Sequence, residues 1–379
     1  MTELDVLFGR RRVSFITHEL CFSSLVYGNL KLAAKFLAEG HDVDFVGIVN
    51  VRDDHVAMMS SEINCFNLKM ERVRNGPGKF RDYLELRRPD VVFASAHLES
   101  LICCAGARLS SYTPKLVLRS HNSTKSFLGM QKQFFDRHLL PVALRAVAPA
   151  SAVFAAVSQA GAEDFARSMR MPANRVITLY DPVLPLGMRE FPDVLHPWLD
   201  NPKLETVVAV GRLSHEKDFP TLLRAFAAVH AARDACRLIL VGEGPERARL
   251  EALVQDLGLE KIVALVGASN PRFAYEKGSL FACSSEQEGL CNVIVEALSY
   301  GMRIVSTDCP VGPAEILRDG RYGLLVPVRD HEALAAAILR SLDLPIDKTA
   351  LVERAMDFHV DRLWPSFAAA AGMPRRPGP

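Results

Sequence analysis

The sequence predicts an α/β protein of two doubly wound halves, and three observations carry that prediction. Short β-rich apolar runs alternate with helix-periodic segments along most of the chain, the pattern of parallel strands covered by helices. At 379 residues, 49% apolar and 23% charged, the chain holds material for about two cores rather than one. Residues 180–202 then break the alternation with five prolines and little apolar periodicity, which marks a linker. The predicted division is 1–185 for the first domain, 186–202 for the linker and 203–357 for the second. Two such domains would face each other across a cleft, the usual seat of ligands in doubly wound architectures.

In the first half, "RVSFIT" (12–17), "DVDFVGIV" (42–49), "DVVFASA" (90–96), "KLVLRS" (115–120) and "AVFAAVS" (152–158) read as buried strands. Residues 25–40 between the first two place Leu25, Leu30, Ala33, Ala34 and Leu37 at helical spacing and close on Gly40, an amphipathic helix with a glycine stop. The second half repeats the pattern. Strands are expected at 204–212, 237–242, 261–267, 279–285 and 303–308, and helices at 219–230, 245–257 and 290–300.

Composition narrows the function classes. A net charge of +1 gives no general attraction for nucleic acid. Residues 69–88, with seven basic and three acidic side chains, are a candidate for contact with an anionic membrane or a phosphate, and equally a solvated helix face. The eight cysteines show no Cys-x-x-Cys pair, so neither a disulfide framework nor a zinc site is indicated, which fits a reducing cytosol. No apolar run approaches the roughly 20 residues of a membrane span. The N-terminus places acids before bases, unlike a signal peptide. The expected location is the cytoplasm, with peripheral contact at the inner face of the membrane.

Chemistry concentrates in "SSEQEGLCNVIVEALSYG" (284–301), where Glu288 and Glu296 lie eight positions apart. Were both helical, their Cα atoms would be about 12 Å apart along the axis. That exceeds the roughly 5–9.5 Å between glycosidase carboxylates and suits two ends of a long polar ligand. Between them, the NH groups of Gly289, Leu290, Cys291 and Asn292 would open a helix, a natural phosphate seat. In "VAVGRLSHEKDF" (208–219) a strand ends at Gly211, and Arg212 and Lys217 follow with no acid in register. Two such cations suit a diphosphate, or else are ordinary surface charges. "VGEGPER" (241–247) has Gly242 and Gly244 after a strand but Arg247 in place of a third glycine, so the dinucleotide fingerprint is incomplete.

Taken together, "GRLSHEKD", "VGEGPE", "LVGASN", "SSEQEGLCNVIVEALSYG", "STDCPVGPAEIL" and "RYGLLVPVRDHEAL" resemble, in order and spacing, the donor domain of retaining glycosyltransferase family four, of GT-B fold. "LAEGHDV", "LRSHNS", "AVSQAGAEDF" and "VITLYDP" resemble its first domain more loosely. The resemblance implies two Rossmann-like domains facing across a cleft, with helices over 358–372 crossing back onto the first. It implies that Arg212 and Lys217 neutralise the leaving diphosphate, that Glu288 holds sugar hydroxyls, and that Glu296 takes the ribose. It also implies that Val266 and Gly267 border the base and that His121 reaches the donor sugar. No metal or other cofactor is expected, since cations do the neutralising and no Asp-x-Asp cluster is present. The implied partners are a nucleotide-sugar donor, with uridine the expected base, and a glycan or lipid-linked acceptor of surface polysaccharide or oligosaccharide synthesis. The chain departs from the family at Ser23 and Ser24, where Gly-Gly is common, and at Val26, where an acid is common. Asp218 and Asp181 are milder departures, standing where glycine and asparagine are common. A nucleotide-sugar epimerase of the same architecture and a binding-only relative remain open alternatives.

Overall fold

The computed structural model describes residues 9–20, 24–51, 60–70, 72–125, 128, 139–185 and 192–373. Its contacts divide the chain into two units, residues 1–182 with 359–379, and residues 183–358.

The first unit carries seven strands, β1 (Arg12–Leu20), β2 (Asp42–Val51), β3 (Ile63–Asn67), β4 (Val91–Ser95), β5 (Lys115–Ser120), β6 (Val153–Ala156) and β7 (Val176–Thr178). They form one parallel sheet in the order β3-β2-β1-β4-β5-β6-β7. Strand residues alternate between two buried layers, as their period of two requires. Val13, Phe15, Val43, Phe45, Val91, Phe93 and Val117 pack against helix Ser24–Ala38 and helix Val360–Ala370. Ile16, Val46, Val92, Ala94, Leu116 and Leu118 pack against helices Gly76–Arg87, His97–Leu109, Leu140–Val147 and Gln159–Ser168. Helix Val360–Ala370, at the far end of the chain, is thus within this unit's core: Phe367 is fully buried, and the Arg119 guanidinium lies 5.0 Å above its ring.

The second unit carries β8 (Glu205–Val210), β9 (Cys236–Val241), β10 (Val263–Leu265), β11 (Leu280–Cys283), β12 (Arg303–Thr307) and β13 (Leu324–Val326), parallel throughout, in the order β10-β9-β8-β11-β12-β13. Helices Phe219–Ala232 and His331–Asp343 pack on it through Leu222, Phe226, Leu334 and Ile338, all at 0% exposure. Both sheets are therefore the α/β, doubly wound kind that the alternation predicts. In each, the strand order reverses at one place, between β1 and β4 and between β8 and β11. Loops leaving the carboxyl ends of the two strands at such a switch point diverge and leave room for a ligand.

Several elements differ from their sequence expectation: strands β3, β7 and β13 are not among those expected, and β10 is shorter than 261–267. Strand β1 runs on to Leu20, past the expected end at 17. The helix expected over 290–300 is Asn292–Ser299, because Cys291 takes a left-handed conformation (φ 75°, ψ 62°) that cannot continue a right-handed turn.

Candidate active site

The second unit's chemistry gathers in loops that leave the carboxyl ends of four neighbouring strands. Gly211 and Arg212 follow β8, Gly242 to Gly244 follow β9, Val266 and Gly267 follow β10, and Glu288 follows β11. The first three loops touch through backbone. The Gly211 NH donates to the Val241 carbonyl at 3.0 Å, and the Gly242 NH to the Gly267 carbonyl at 2.9 Å. A Cβ on Gly242 would lie 1.8 Å from the Gly211 carbonyl oxygen, so only glycine permits this approach.

Lys217 closes a short 3-10 turn, His215–Lys217, and its Nζ donates to Glu288 Oε1 at 2.5 Å. This corrects the expectation that the two cations have no acid partner; for Lys217 the partner is Glu288, 71 residues along the chain. The side chains are 19% and 10% exposed. The Ser285 hydroxyl donates to the same oxygen at 2.7 Å, so among the described residues both side-chain bonds to this carboxylate end on Oε1. The Ser284 hydroxyl donates to the Lys217 carbonyl at 2.8 Å, and Thr307 Oγ1 to the Ser285 carbonyl at 2.6 Å. These bonds tie the loops after β8 and β11 to each other and to the end of β12. Burial disfavours the Lys217 charge, but the Glu288 carboxylate outweighs it, with Cys291 and Cys283 adding to the effect, and the ammonium's pKa is raised. Arg212 is exposed and its guanidinium takes no side-chain partner among the described residues.

Glu288 lies in the loop before the helix, and only Glu296 is helical. The axial spacing expected for two helical glutamates therefore does not apply. Glu296 is 7% exposed, and its Oε2 accepts from the Tyr275 hydroxyl at 2.9 Å. Tyr275, from helix Arg272–Lys277, stacks on Tyr300 with ring centroids 5.7 Å apart. Nothing in the run around residue 275 signals that role. Asn292 opens the helix, Leu290 and Cys291 are buried, and Gly289 is already engaged within the protein. Cys283 and Cys291 bring their sulfurs to 3.7 Å. A hydrogen bond from Cys291 pulls the Cys283 thiol's pKa down against the effect of burial, and the Cys291 thiol moves well up.

His121 belongs to the first unit, in the loop after β5. Its Nδ1 lies 3.3 Å from Asp181 Oδ2, and since a carboxylate only accepts, this nitrogen carries the proton. Nε2 is buried without a hydrogen-bond partner among the described residues. Asp181 also accepts from Arg119 Nη2 at 2.7 Å, and Arg119 Nη1 donates to Asn29 at 3.1 Å. Burial would raise the Asp181 pKa, but the His121 and Arg119 charges and bonds outweigh it and hold the carboxyl at about 2. Of the first strand–helix loop, Ser23 lies outside the described residues and Ser24 opens the helix Ser24–Ala38. The basic stretch 69–88 forms a 3-10 turn and helix Gly76–Arg87, in which Arg87 is paired with Asp44 at 2.8 Å and Arg81 with Asp82 at 2.6 Å. No helix among the described residues is long and apolar enough to cross a membrane.

Comparison with known proteins supplies independent information. Residues 29–183 match the family model described as Glycosyltransferase Family 4, and residues 205–343 match the model for glycosyl transferases group 1. The amylovoran biosynthesis glycosyltransferase AmsD of Erwinia amylovora is 34% identical over 137 residues, which are 36% of this chain and 38% of AmsD. The N-acetylgalactosamine-N,N'-diacetylbacillosaminyl-diphospho-undecaprenol 4-alpha-N-acetylgalactosaminyltransferase of Campylobacter jejuni is 33% identical over 138 residues, 36% of this chain and 37% of that protein. The matched segment thus spans well under half of these curated relatives. Among solved structures, Anabaena HepE in complex with UDP and glucose superposes with a TM-score of 0.75 at 16% identity, covering 96% of this chain and all of that one, a likeness that shows the fold. With family models on both halves and two doubly wound parallel sheets of GT-B type, the chain belongs to glycosyltransferase family four.

Proposed function

We propose that this chain is a retaining glycosyltransferase. It would move a hexose or N-acetylhexosamine from a nucleoside diphosphate, uridine diphosphate first among them, to a glycan or lipid-linked acceptor of surface polysaccharide or oligosaccharide synthesis. One observation carries the reading: at the switch point of the second sheet, Lys217 and Glu288 form a nearly buried pair, and the exposed Arg212 leaves β8 in the same loop as Lys217. An ammonium has three protons. One binds Glu288, and the others are available to a diphosphate together with the Arg212 guanidinium. Glu288 Oε2 would accept from sugar hydroxyls. Glu296, fixed by Tyr275, would take the ribose, and Val266 and Gly267 would border the base.

In the reaction, the bond from the anomeric carbon to the diphosphate oxygen breaks as a bond to the acceptor oxygen forms on the same face. The acceptor's proton passes to the departing diphosphate, whose developing charge the fixed cations stabilise. No step calls for a metal, because Arg212 and Lys217 supply the positive charge. His121, its Nδ1 held by Asp181, has a buried Nε2 still to be satisfied, which supports a role toward the donor sugar. Ser23 and Ser24 would border the acceptor. The names of the relatives in amylovoran and diphospho-undecaprenol chemistry support the acceptor class. The chain would work in the cytoplasm, touching anionic lipid at the inner membrane face through the exposed Lys69, Arg72, Arg74 and Arg88.

Calorimetric titration with several nucleoside diphosphates, followed by mass spectrometry of products from a panel of acceptors, tests the proposal. Tightest binding of uridine diphosphate and a product heavier by one sugar are expected. Donor hydrolysis or isomerisation with no transferred sugar would reject it.

A further inference from the structure

We propose that Cys283, Cys291 and Glu288 bind a thiophilic divalent ion of the zinc class, and that the bound ion shuts the donor site. One ligand atom from each of the three lies within 4.8 Å of the others. The two sulfurs are 3.7 Å apart. Two thiolates held tetrahedrally at about 2.3 Å from zinc lie about 3.8 Å apart, so both sulfurs can reach one ion with little movement. The third ligand is at hand, since Glu288 Oε2 takes no side-chain bond from Lys217 or Ser285. Water would complete the tetrahedron.

The pocket's make-up favours a soft ion. Thiolate ligands select zinc over magnesium or calcium. Two thiolates and a carboxylate carry three negative charges, and a divalent ion with the Lys217 ammonium alongside balances them, so no uncompensated charge is left in a nearly buried place. Cys291 reaches the position from a left-handed conformation (φ 75°) that disfavours any residue with a Cβ, yet a cysteine stands there. Entry lies by way of the Glu288 and Lys217 side chains, 10% and 19% exposed. On binding, both thiol protons leave to solvent. With Oε2 on the ion and Lys217 and Ser285 still on Oε1, Glu288 has no oxygen left for sugar hydroxyls. The metal site stands on geometry alone; the shutting of the donor site rests on the transferase reading.

The test uses the full chain with its thiols reduced, titrated with zinc chloride by calorimetry and with cobalt(II), whose thiolate charge-transfer absorption reports sulfur ligation. One ion per chain and a two-thiolate cobalt spectrum are expected. Cys283→Ser and Cys291→Gly should each weaken zinc binding by at least the roughly 10–100-fold that follows loss of an outer-shell partner. Glycine suits the left-handed backbone at 291, so an unchanged melting temperature without metal certifies that variant as folded. Zinc affinity unchanged in either variant, or a cobalt spectrum with no thiolate band, overturns the site. Uridine diphosphate titrated into the metal-free protein keeps the two readings apart: zinc binding without nucleotide binding removes the transferase reading and leaves the metal site. Zinc is expected to lower transfer at least tenfold and a chelator to restore it. Full transfer with the ion bound rejects the shutting.

Discussion

Glu288 receives the Lys217 ammonium and the Ser285 hydroxyl on one oxygen, and that asymmetry lets charge and geometry be tested separately. Lys217→Met removes the cation and keeps most of the stem. A hydrogen bond to a charged group contributes about 1.5–3 kcal/mol, so uridine diphosphate affinity should fall at least about tenfold by calorimetry. Glu288→Gln keeps an acceptor for Ser285 but discards the charge, and should reduce transfer more than it reduces donor affinity. Equal losses in both would show that Glu288 only binds. In the first unit, Asp181 is the testable residue. Its carboxyl is held at about 2 against an ordinary 3.8, burial opposing and the His121 and Arg119 charges prevailing. A folded value below the unfolded one contributes stability above about pH 4 that is lost as pH falls toward 2. At about 1.4 kcal/mol per tenfold change in proton affinity, the contribution at neutral pH is roughly 2 kcal/mol. Arg119, its own pKa lowered by burial with Asp181 opposing, stays charged across that range and leaves the slope alone. In urea titrations, the stability gap between the wild type and Asp181→Asn should narrow between about pH 4 and pH 2. A gap independent of pH would rule out the ionic contribution.

At the scale of single elements, the site depends on how closely the loops after β8 and β9 approach. Gly242 sits at φ 148° with the Gly211 carbonyl where its Cβ would be, 1.8 Å away, whereas Gly258 at φ 68° has nothing within 4 Å. Gly242→Ala must push these loops away from each other and should cost more than about 3 kcal/mol and weaken nucleotide binding. Gly258→Ala should cost only the left-handed penalty of about 1–2 kcal/mol and leave binding unchanged. Thermal unfolding and nucleotide titration of the pair decide it. The same elements show what is legible in sequence. Apolar runs foretell most of the strands because each such run is long enough to bury on both faces, as β4 does over Val91–Ser95, whereas the half-buried β3 and the three-residue β7 and β13 do not stand out. The start of helix Asn292–Ser299 is not foretold, since Cys291 adopts a left-handed angle that its residue type does not signal. Contacts between distant loops are hidden for a different reason. Lys217 and Glu288 stand out singly, but their pairing depends on β8 and β11 being sheet neighbours. The Tyr275 hydroxyl on Glu296 and the Asp181 carboxylate on His121 are likewise products of tertiary packing.

Across the whole molecule, each unit has its own sheet and its own core, and the chain's last helix belongs to the first of them. Val360, Leu363, Phe367 and Ala370 pack among Phe15, Phe36 and Phe93, and Lys35 pairs with Asp361 at 2.9 Å. Phe367, at 0% exposure and beneath the Arg119 guanidinium, is the side chain on which this packing turns. Phe367→Ala removes a fully buried ring and should cost the first unit about 3–5 kcal/mol. The second unit, residues 183–358, draws its core from other residues altogether. Scanning calorimetry with and without uridine diphosphate separates the two, because a ligand raises the stability of the unit that binds it by RT ln(1 + [L]/Kd). The substitution should lower the transition that does not respond to nucleotide and leave the responsive one, with its full ligand-induced rise, in place. If the responsive transition fell instead, the proposed nucleotide site would have to be sought in the first unit, and the roles given to Arg212, Lys217 and Glu288 would fall with it.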